Sequence, residues 1–315
     1  MEYRKIIKFG NSSHVISLPN AWLKKNNLNK GDRIFLQENG TNEIVLFTKE
    51  TEFREAIKEI IIDANNKSLL YVSNALITAY TNNYNLIKIL DKNLNKRSNE
   101  IRNFIHSLAG LEVIEQSNDR IVAKDFLSIK DIYFDAMVRR TDIIIRNMLK
   151  NAKDCIKKDY TVSVANSDFD VNRLAFALIK IARKSFDNPQ VAKELKLGYY
   201  ETLNYYRLMF NLEQMGDEIK RMARLFNLIR LKKEDIKQLI LYYEKVESMY
   251  QDSMKAFYNK DKELAFSVLE QGKNTTIIIN KLLKDYIESI HARIIEKLKN
   301  LIDCIEQTSR IAANL

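Results

Sequence analysis

The sequence predicts a multidomain, mostly α-helical chain: a small β-rich head, an α/β connector, and two three-helix bundles. Three observations predict it. The 315 residues exceed one ordinary core and leave room for two or three domains. Only two prolines, Pro19 and Pro189, and seven glycines occur, and so few breakers favour long uninterrupted helices. The apolar period is strand-like up to about residue 48 and turns helical from about Thr51, and beyond about Lys130 every segment reads as helix.

The head spans residues 1–50. Ile6 and Ile7 lie in a first apolar run, and Val15, Ile16 and Leu18 in a second, separated by the polar break Gly10-Asn11-Ser12-Ser13. "LPNAWLKKNN" reads as a short helix with Pro19 at its start. Gly31-Asp32 marks a turn, and "RIFLQENGTNEIVLF" is two β-rich runs around Asn39-Gly40. About fifty residues with so few large side chains cannot bury much core alone, so this unit is expected to dimerise.

The connector spans 51–128. "TEFREAIKEIIIDANNKSLLYVSNALITAY" repeats apolar residues at helical spacing, which predicts a helix-led domain. "YNLIKIL" predicts a strand, and "KRSNEIRNFIHSLAG" a helix closed by Gly110 as its C′ residue. "LEVIEQSNDRIVAKDFL" predicts a hairpin turning at Ser117-Asn118-Asp119.

The first bundle spans 129–230, with helices expected at about 131–158, 168–187 (stopping before Asn188-Pro189) and 198–228. In the last of these, Leu208, Leu212, Met215, Ile219, Met222 and Phe226 recur every three or four residues, a bundle seam. The second bundle spans 231–315, with helices at about 233–259, 261–284 and 286–313 and Asp261 as an N-cap. Two successive trios of similar length suggest a diverged internal repeat.

Composition narrows the function classes. The formal net charge is +10, which attracts nucleic acid, anionic lipid or acidic partners. That charge is polarised. Residues 1–33 carry seven Lys or Arg against two acids, net +5, whereas residues 34–50 carry one Lys against three acids, net −2. Dimerisation would double the basic patch, and a two-fold basic surface matches the symmetry of a palindromic duplex. Small donors at Gly10 to Ser13 suit phosphate or groove contacts. Cys155 and Cys304 form no CxxC motif and no disulfide framework, which suits a reducing compartment. "MEYRKIIKF" lacks a signal-peptide core, and no run of about 18 apolar residues occurs, so a cytoplasmic protein that is not integral to a membrane is expected. The three histidines, His14, His106 and His291, are scattered, and neither a G-x-S-x-G elbow nor a P-loop is present. No catalytic residues are assigned and an enzyme is not expected.

Glu213 and Asp217 stand four apart on one helix face, and Asp168 and Asn172 do the same on the preceding helix. Like charges so placed need a cation beside them. Lys220 or Arg221 could supply it, and so could a metal ion, for which clustered carboxylates are hard oxygen ligands.

The stretch "RKIIKFGNSSHVISLPNAWLKKNNLNKGDRIFLQENGTNEIVLF" resembles the SpoVT/AbrB swapped-hairpin DNA-binding domain, also seen in antitoxins of the MazE type. The order of a basic strand, a Gly-x-Ser-Ser break, V-I-S-L-P, a helix and L-x-K-G-D carries the resemblance. It implies an intertwined homodimer formed through the head, with double-stranded DNA contacted by Arg4, Lys5, Lys8, Asn11, Ser12 and Ser13, and with Lys24 and Lys25 flanking. His14 is expected to be a partly exposed side chain and Trp22 part of the dimer core.

"DFDVNRLAFALI" followed by "NLEQMGDEIKRMA" resembles the paired signatures of PhoU domains over about 131–313, and "LAGLEVIEQSNDRIVAKDFL" resembles the segment preceding the bundles in archaeal-type proteins that fuse an AbrB-like head to PhoU. PhoU proteins regulate phosphate uptake and signalling, and some hold metal, often iron. The resemblance therefore implies a transcriptional regulator tied to phosphate homeostasis, with iron or another divalent cation on Asp168, Asn172, Glu213 and Asp217. Alternatively, it implies an adaptor that restrains a phosphate transporter ATPase or a signalling protein. The second bundle departs from the pattern: no acid stands four residues from Glu270, and Ile302 replaces the acid paired with Glu306. No metal is expected there.

Overall fold

The computed structural model describes residues 3–38, 44–48, 57–129, 132–228, 233–284 and 290–315. They fall into two compact units, Met1–Ala56 and Ile57–Leu315.

In the first unit, β1 (Ile7–Phe9) pairs antiparallel with β2 (Ser13–Val15) across a turn that Gly10 enters at φ +70°, a region glycine occupies without steric cost. α1 (Asn20–Lys25) follows Pro19, and β3 (Phe35–Glu38) pairs antiparallel with β4 (Ile44–Phe47). The expected Asn39-Gly40 turn lies outside the described residues. None of the residues of this unit whose exposure is described is buried. Tyr3, Ile6, Phe9, Leu36 and Ile44 are each about two-thirds exposed or more. These strands carry apolar side chains that stand largely exposed in one copy.

The second unit opens with a sheet of order β5-β6-β8-β7, made of β5 (Glu59–Asp63), β6 (Leu86–Leu90), β7 (Leu111–Gln116) and β8 (Arg120–Asp125). β5 runs parallel to β6, and the other pairs are antiparallel. α2 (Leu69–Thr81) makes the crossover between the parallel strands, and α3 (Ser98–His106) packs on the same face. Ile62, Ile87, Ile89, Ile121 and Ala123 of the sheet bury against Val72, Leu76, Ile101 and Ile105 of the helices. The β7–β8 hairpin turns at Ser117–Asp119 as expected, with Ser117 N donating to Arg120 O at 2.8 Å.

Two expectations fail here. The helix-led start is a strand. Ile60, Ile61 and Ile62 are consecutive β-branched residues that suit a pleated surface better than a helix, and pairing with β6 buries Ile62. A turn with Asn66 at φ 56° follows, and Ser68 then caps α2 by accepting from Tyr71 N at 3.1 Å. Gly110 is not a C′ residue. α3 ends at His106 with Ser107 as its C-cap, and Gly110 lies beyond it at φ +74°, where a Cβ would come within 2.9 Å of the backbone nitrogen of Leu127. Gly110→Ala is expected to cost about 2 kcal/mol through strain and displacement of that backbone. The urea midpoint reports it, and an unchanged midpoint would show that the Leu127 segment yields freely.

Seven helices follow: α4 (Phe134–Asp154), α5 (Thr161–Asp187), α6 (Pro189–Leu195), α7 (Tyr199–Leu228), α8 (Lys233–Asn259), α9 (Lys262–Lys284) and α10 (Ile290–Ala313), counted among the described residues. α5 starts seven residues before the expected 168, because Asp159 Oδ1 accepts from both Thr161 N and Thr161 Oγ1 and opens the helix there. α6 was not expected. Pro189 stops α5 but suits the first position of a new helix. Asp261 caps α9 by accepting from Leu264 N at 3.0 Å.

α4, α5 and α7 pack together, as do α8, α9 and α10, and α10 also lies along α7. The six seam residues from Leu208 to Phe226 are all at most 1% exposed. One continuous core runs through both trios. Polar bonds tie the trios across it. Asn211 Nδ2 donates to Cys304 O at 2.7 Å and Thr308 Oγ1 at 2.8 Å, and Tyr243 Oη donates to Leu149 O at 2.9 Å. Both cysteines are free and buried, and burial pushes the Cys304 thiol up to about 12, which leaves it protonated and unreactive.

Candidate functional site

The head places its expected contacts on a hairpin. Arg4 and Lys5 precede β1, Lys8 lies within it, Asn11 and Ser12 form the turn, and Ser13 starts β2. The register pairs Lys8 with His14 and Ile7 with Val15, so alternation puts Lys8 and His14 on one face and Ile7, Phe9 and Val15 on the other. Lys24 and Lys25 occupy the last turn of α1, where cations suit the helix carbonyl end. All eight residues are exposed, as is His14, while Trp22 is half-buried in the single copy. The hairpin thus has a basic face and an apolar face, both open.

In the second unit the helices bring Asp168 and Asp217 to one ammonium, with Glu213 near enough to feel both charges. α5 supplies Asp168 and Asn172, one turn apart, and α7 supplies Glu213 and Asp217. Gly216 lets the helices approach closely, since a Cβ there would lie 3.4 Å from Asp168 Oδ1. Between the helices stands Lys220, whose Nζ is 2.5 Å from Asp168 Oδ2 and 2.7 Å from Asp217 Oδ1. Arg221 takes the other Asp217 oxygen at 2.9 Å. Asp168 is 4% exposed, and its Oδ1 and the Oδ1 of Asn172 are buried without a hydrogen-bond partner.

The electrostatics follow from burial and from who faces whom. Burial, then the Asp217 and Asp168 charges, push the Glu213 carboxyl up to about 7. Burial also raises Asp168, against the opposing pull of Lys220. Lys220 loses hydration, yet its bonds to Asp168 and Asp217 hold its proton more tightly than usual. Burial disfavours the Glu218 charge, but Asn300 and Lys297 of α10 and Arg221 of α7 donate to it and outweigh that, so its carboxyl is lowered. Glu213 and Asp217 line an open groove of about 430 Å³ between α7 and α10.

These residues do not fit a resident metal ion. Both Asp217 oxygens and one Asp168 oxygen already serve cations of the chain, and among the described residues no group of three His, Cys, Asp or Glu is placed to hold a metal. The equivalent place in the second trio holds Glu306, which pairs with Arg310 at 2.9 Å and packs against Gly272.

Lys180 and Asp142 are among the buried charges that escaped the sequence reasoning. Lys180 of α5 is 2% exposed, sits 2.6 Å from Asp125 Oδ2 and lies over the Tyr80 ring at 4.2 Å. Its solitary charge within "LAFALIKIA" was the available signal. Asp142 of α4 is 5% exposed and joins Arg146, Tyr250 and Tyr258. Asp142 and Arg146 stand four apart in sequence, a spacing that ordinary surface pairs share.

Residues 7–54 match the family model described as antidote-toxin recognition MazE, bacterial antitoxin. No curated protein matches the chain. The crystal structure of PhoU from Pseudomonas aeruginosa is similar, with a TM-score of 0.41 and 15% identity over 57% of this chain and 90% of that one. The chain thus holds a MazE-like domain at residues 7–54, and its described residues are mostly α-helical.

Proposed function

We propose that this chain is a homodimeric, DNA-binding transcriptional regulator whose helical bundles couple it to phosphate uptake or homeostasis. The observation that carries the DNA-binding part is the head itself: a basic hairpin face from Arg4 to Ser13 backed by strands whose apolar side chains stand exposed. A second copy would cover those strands, and burial of apolar surface would drive the pairing. The paired heads would present two basic hairpins to the two halves of a palindrome. The phosphate link rests on the resemblance of the Asp168–Asn172 and Glu213–Asp217 segments to PhoU signatures. No described helix is long and apolar enough to cross a membrane.

Selection of bound genomic fragments by the full chain tests this directly. The expected result is a palindromic sequence, bound with an affinity that falls steeply with salt. Each phosphate contact adds about 0.9 to the slope of log K against log salt. Lys8→Ala, which removes one contact per copy, should lower that slope by about 2. If no sequence is enriched and Lys8→Ala leaves the slope unchanged, the head is a dimeriser only. The bundles would then belong to an adaptor for a transporter ATPase or signalling protein.

A further inference from the structure

We propose that the cavity where the sheet layer, residues 57–127, meets α5 is a binding site for a small oxyanion that carries a hydrogen-bond donor of its own, and that the bound anion fastens layer and helix together. The cavity, about 280 Å³, is lined by Lys58, Asn82, Asn83 and Tyr84 of the layer and by Arg183 and Asp187 of α5, among others. The inference rests on that lining and needs neither DNA binding nor the phosphate reading of the bundles. Asn82 brings the two cations together. Lys58 Nζ donates to its backbone O at 2.9 Å, and Arg183 Nη1 donates to its Oδ1 at 2.9 Å. Arg183 also donates to Thr81 Oγ1 at 3.3 Å and Tyr206 Oη at 3.2 Å, and Lys58 lies over the Tyr84 ring at 4.5 Å. Among the described residues no carboxylate pairs with either cation, although Asp187 lines the same cavity. Two like charges fixed on one residue repel, and an anion between them relieves that cost.

Donors are left for that anion. A guanidinium has about five N–H and an ammonium about three, and the bonds above leave two on each. The carbonyl ends of α2 and α5 lie here too, and each offsets about half a charge. Charge attraction is therefore modest, and millimolar affinity is expected. The acceptors decide which anion fits. Asn83 Nδ2 is spent on Lys180 O at 3.1 Å, and Asn83 Oδ1 is buried with no partner. Asp187 adds a carboxylate to the wall. An anion made only of acceptors gains nothing from Asn83 and is repelled by Asp187. An anion that keeps an O–H or N–H can give that proton to either. Hydrogen phosphate meets this condition at neutral pH, and sulfate, fully ionised there, does not.

The test uses the full chain, with inorganic phosphate and sulfate as probes at neutral pH and matched ionic strength. Separation of the layer from α5 exposes residues 57–63 and 81–85, so their amide exchange reports the site. Phosphate at roughly ten times its Kd should slow that exchange by about tenfold. Sulfate should match the effect only at several-fold higher concentration. Lys58→Met and Arg183→Met should each abolish the phosphate effect. Lys58 is exposed, so its variant should keep the wild-type helix content, and it carries the test should Arg183→Met loosen the layer. Exchange that phosphate leaves unchanged would overturn the proposal, as would sulfate acting as strongly as phosphate. So would a phosphate effect that survives in Lys58→Met, which is the result expected of phosphate held only by the basic head.

Discussion

Asp142→Ala is expected to destabilise the second unit by about 3–5 kcal/mol, the cost of stripping one partner from a buried charge cluster. Asp142 accepts from Arg146 Nε and Nη2 at 2.8 and 3.1 Å, from Tyr250 Oη at 2.9 Å and from Tyr258 Oη at 3.1 Å. Tyr250 is fully buried, and burial followed by the Asp142 charge pushes its phenol well above the usual range. Alanine would leave two hydroxyls and a guanidinium facing a void between α4 and α8. The loss should come mainly from those orphaned donors and not from the ion pair itself. Adding Tyr250→Phe and Tyr258→Phe to Asp142→Leu is therefore expected to recover part of the loss. Urea midpoints followed by helix content decide it; a single-variant loss below about 1 kcal/mol would mean that water or repacking satisfies the cluster.

Lys180→Met is expected to cost a similar amount, about 3–5 kcal/mol, and to do so locally. The substitution keeps the stem and removes the charge, leaving the Asp125 carboxylate, 8% exposed, without its cation. It also removes the cation from the face of Tyr80. Around this pair, Asn83 Nδ2 donates to Lys180 O at 3.1 Å, and Arg183 donates to Asn82 Oδ1 at 2.9 Å and to Thr81 Oγ1 at 3.3 Å. These bonds dock the sheet layer on α5. Hydrogen exchange should accelerate across residues 57–127 while α7 and α10 stay protected. The exposed Lys88–Glu59 pair gives the contrast, and Lys88→Met should change stability by less than about 1 kcal/mol. Equal exchange everywhere would show that sheet layer and bundle unfold as one body.

Much of the architecture was legible because it rests on periodicity. The α7 seam, the β7–β8 hairpin and the long helices after Lys130 follow from spacing and turn residues. β5 was misread because a run of three isoleucines satisfies a helical and a strand pattern alike, and only the parallel partner β6 settles which one forms. The candidate site was legible as a set of acids with two nearby cations. What the sequence left open was which cation wins, since that depends on how close Gly216 brings α7 to α5. Asp142 was illegible, and Lys180 signalled only by its apolar surroundings, for a related reason. A charged side chain reads as surface until packing from distant segments, here Tyr250 and Asp125, encloses it.

α5 enters both stories. Asp168 and Lys180 are twelve residues apart on one unbroken helix, about 18 Å along its axis. One end is gripped by the ammonium of α7 and the other by the carboxylate of β8. A helix held at two points behaves as a pushrod. It cannot slide or roll at Asp168 without carrying Lys180 by the same stroke, and with it the strand that Lys180 holds.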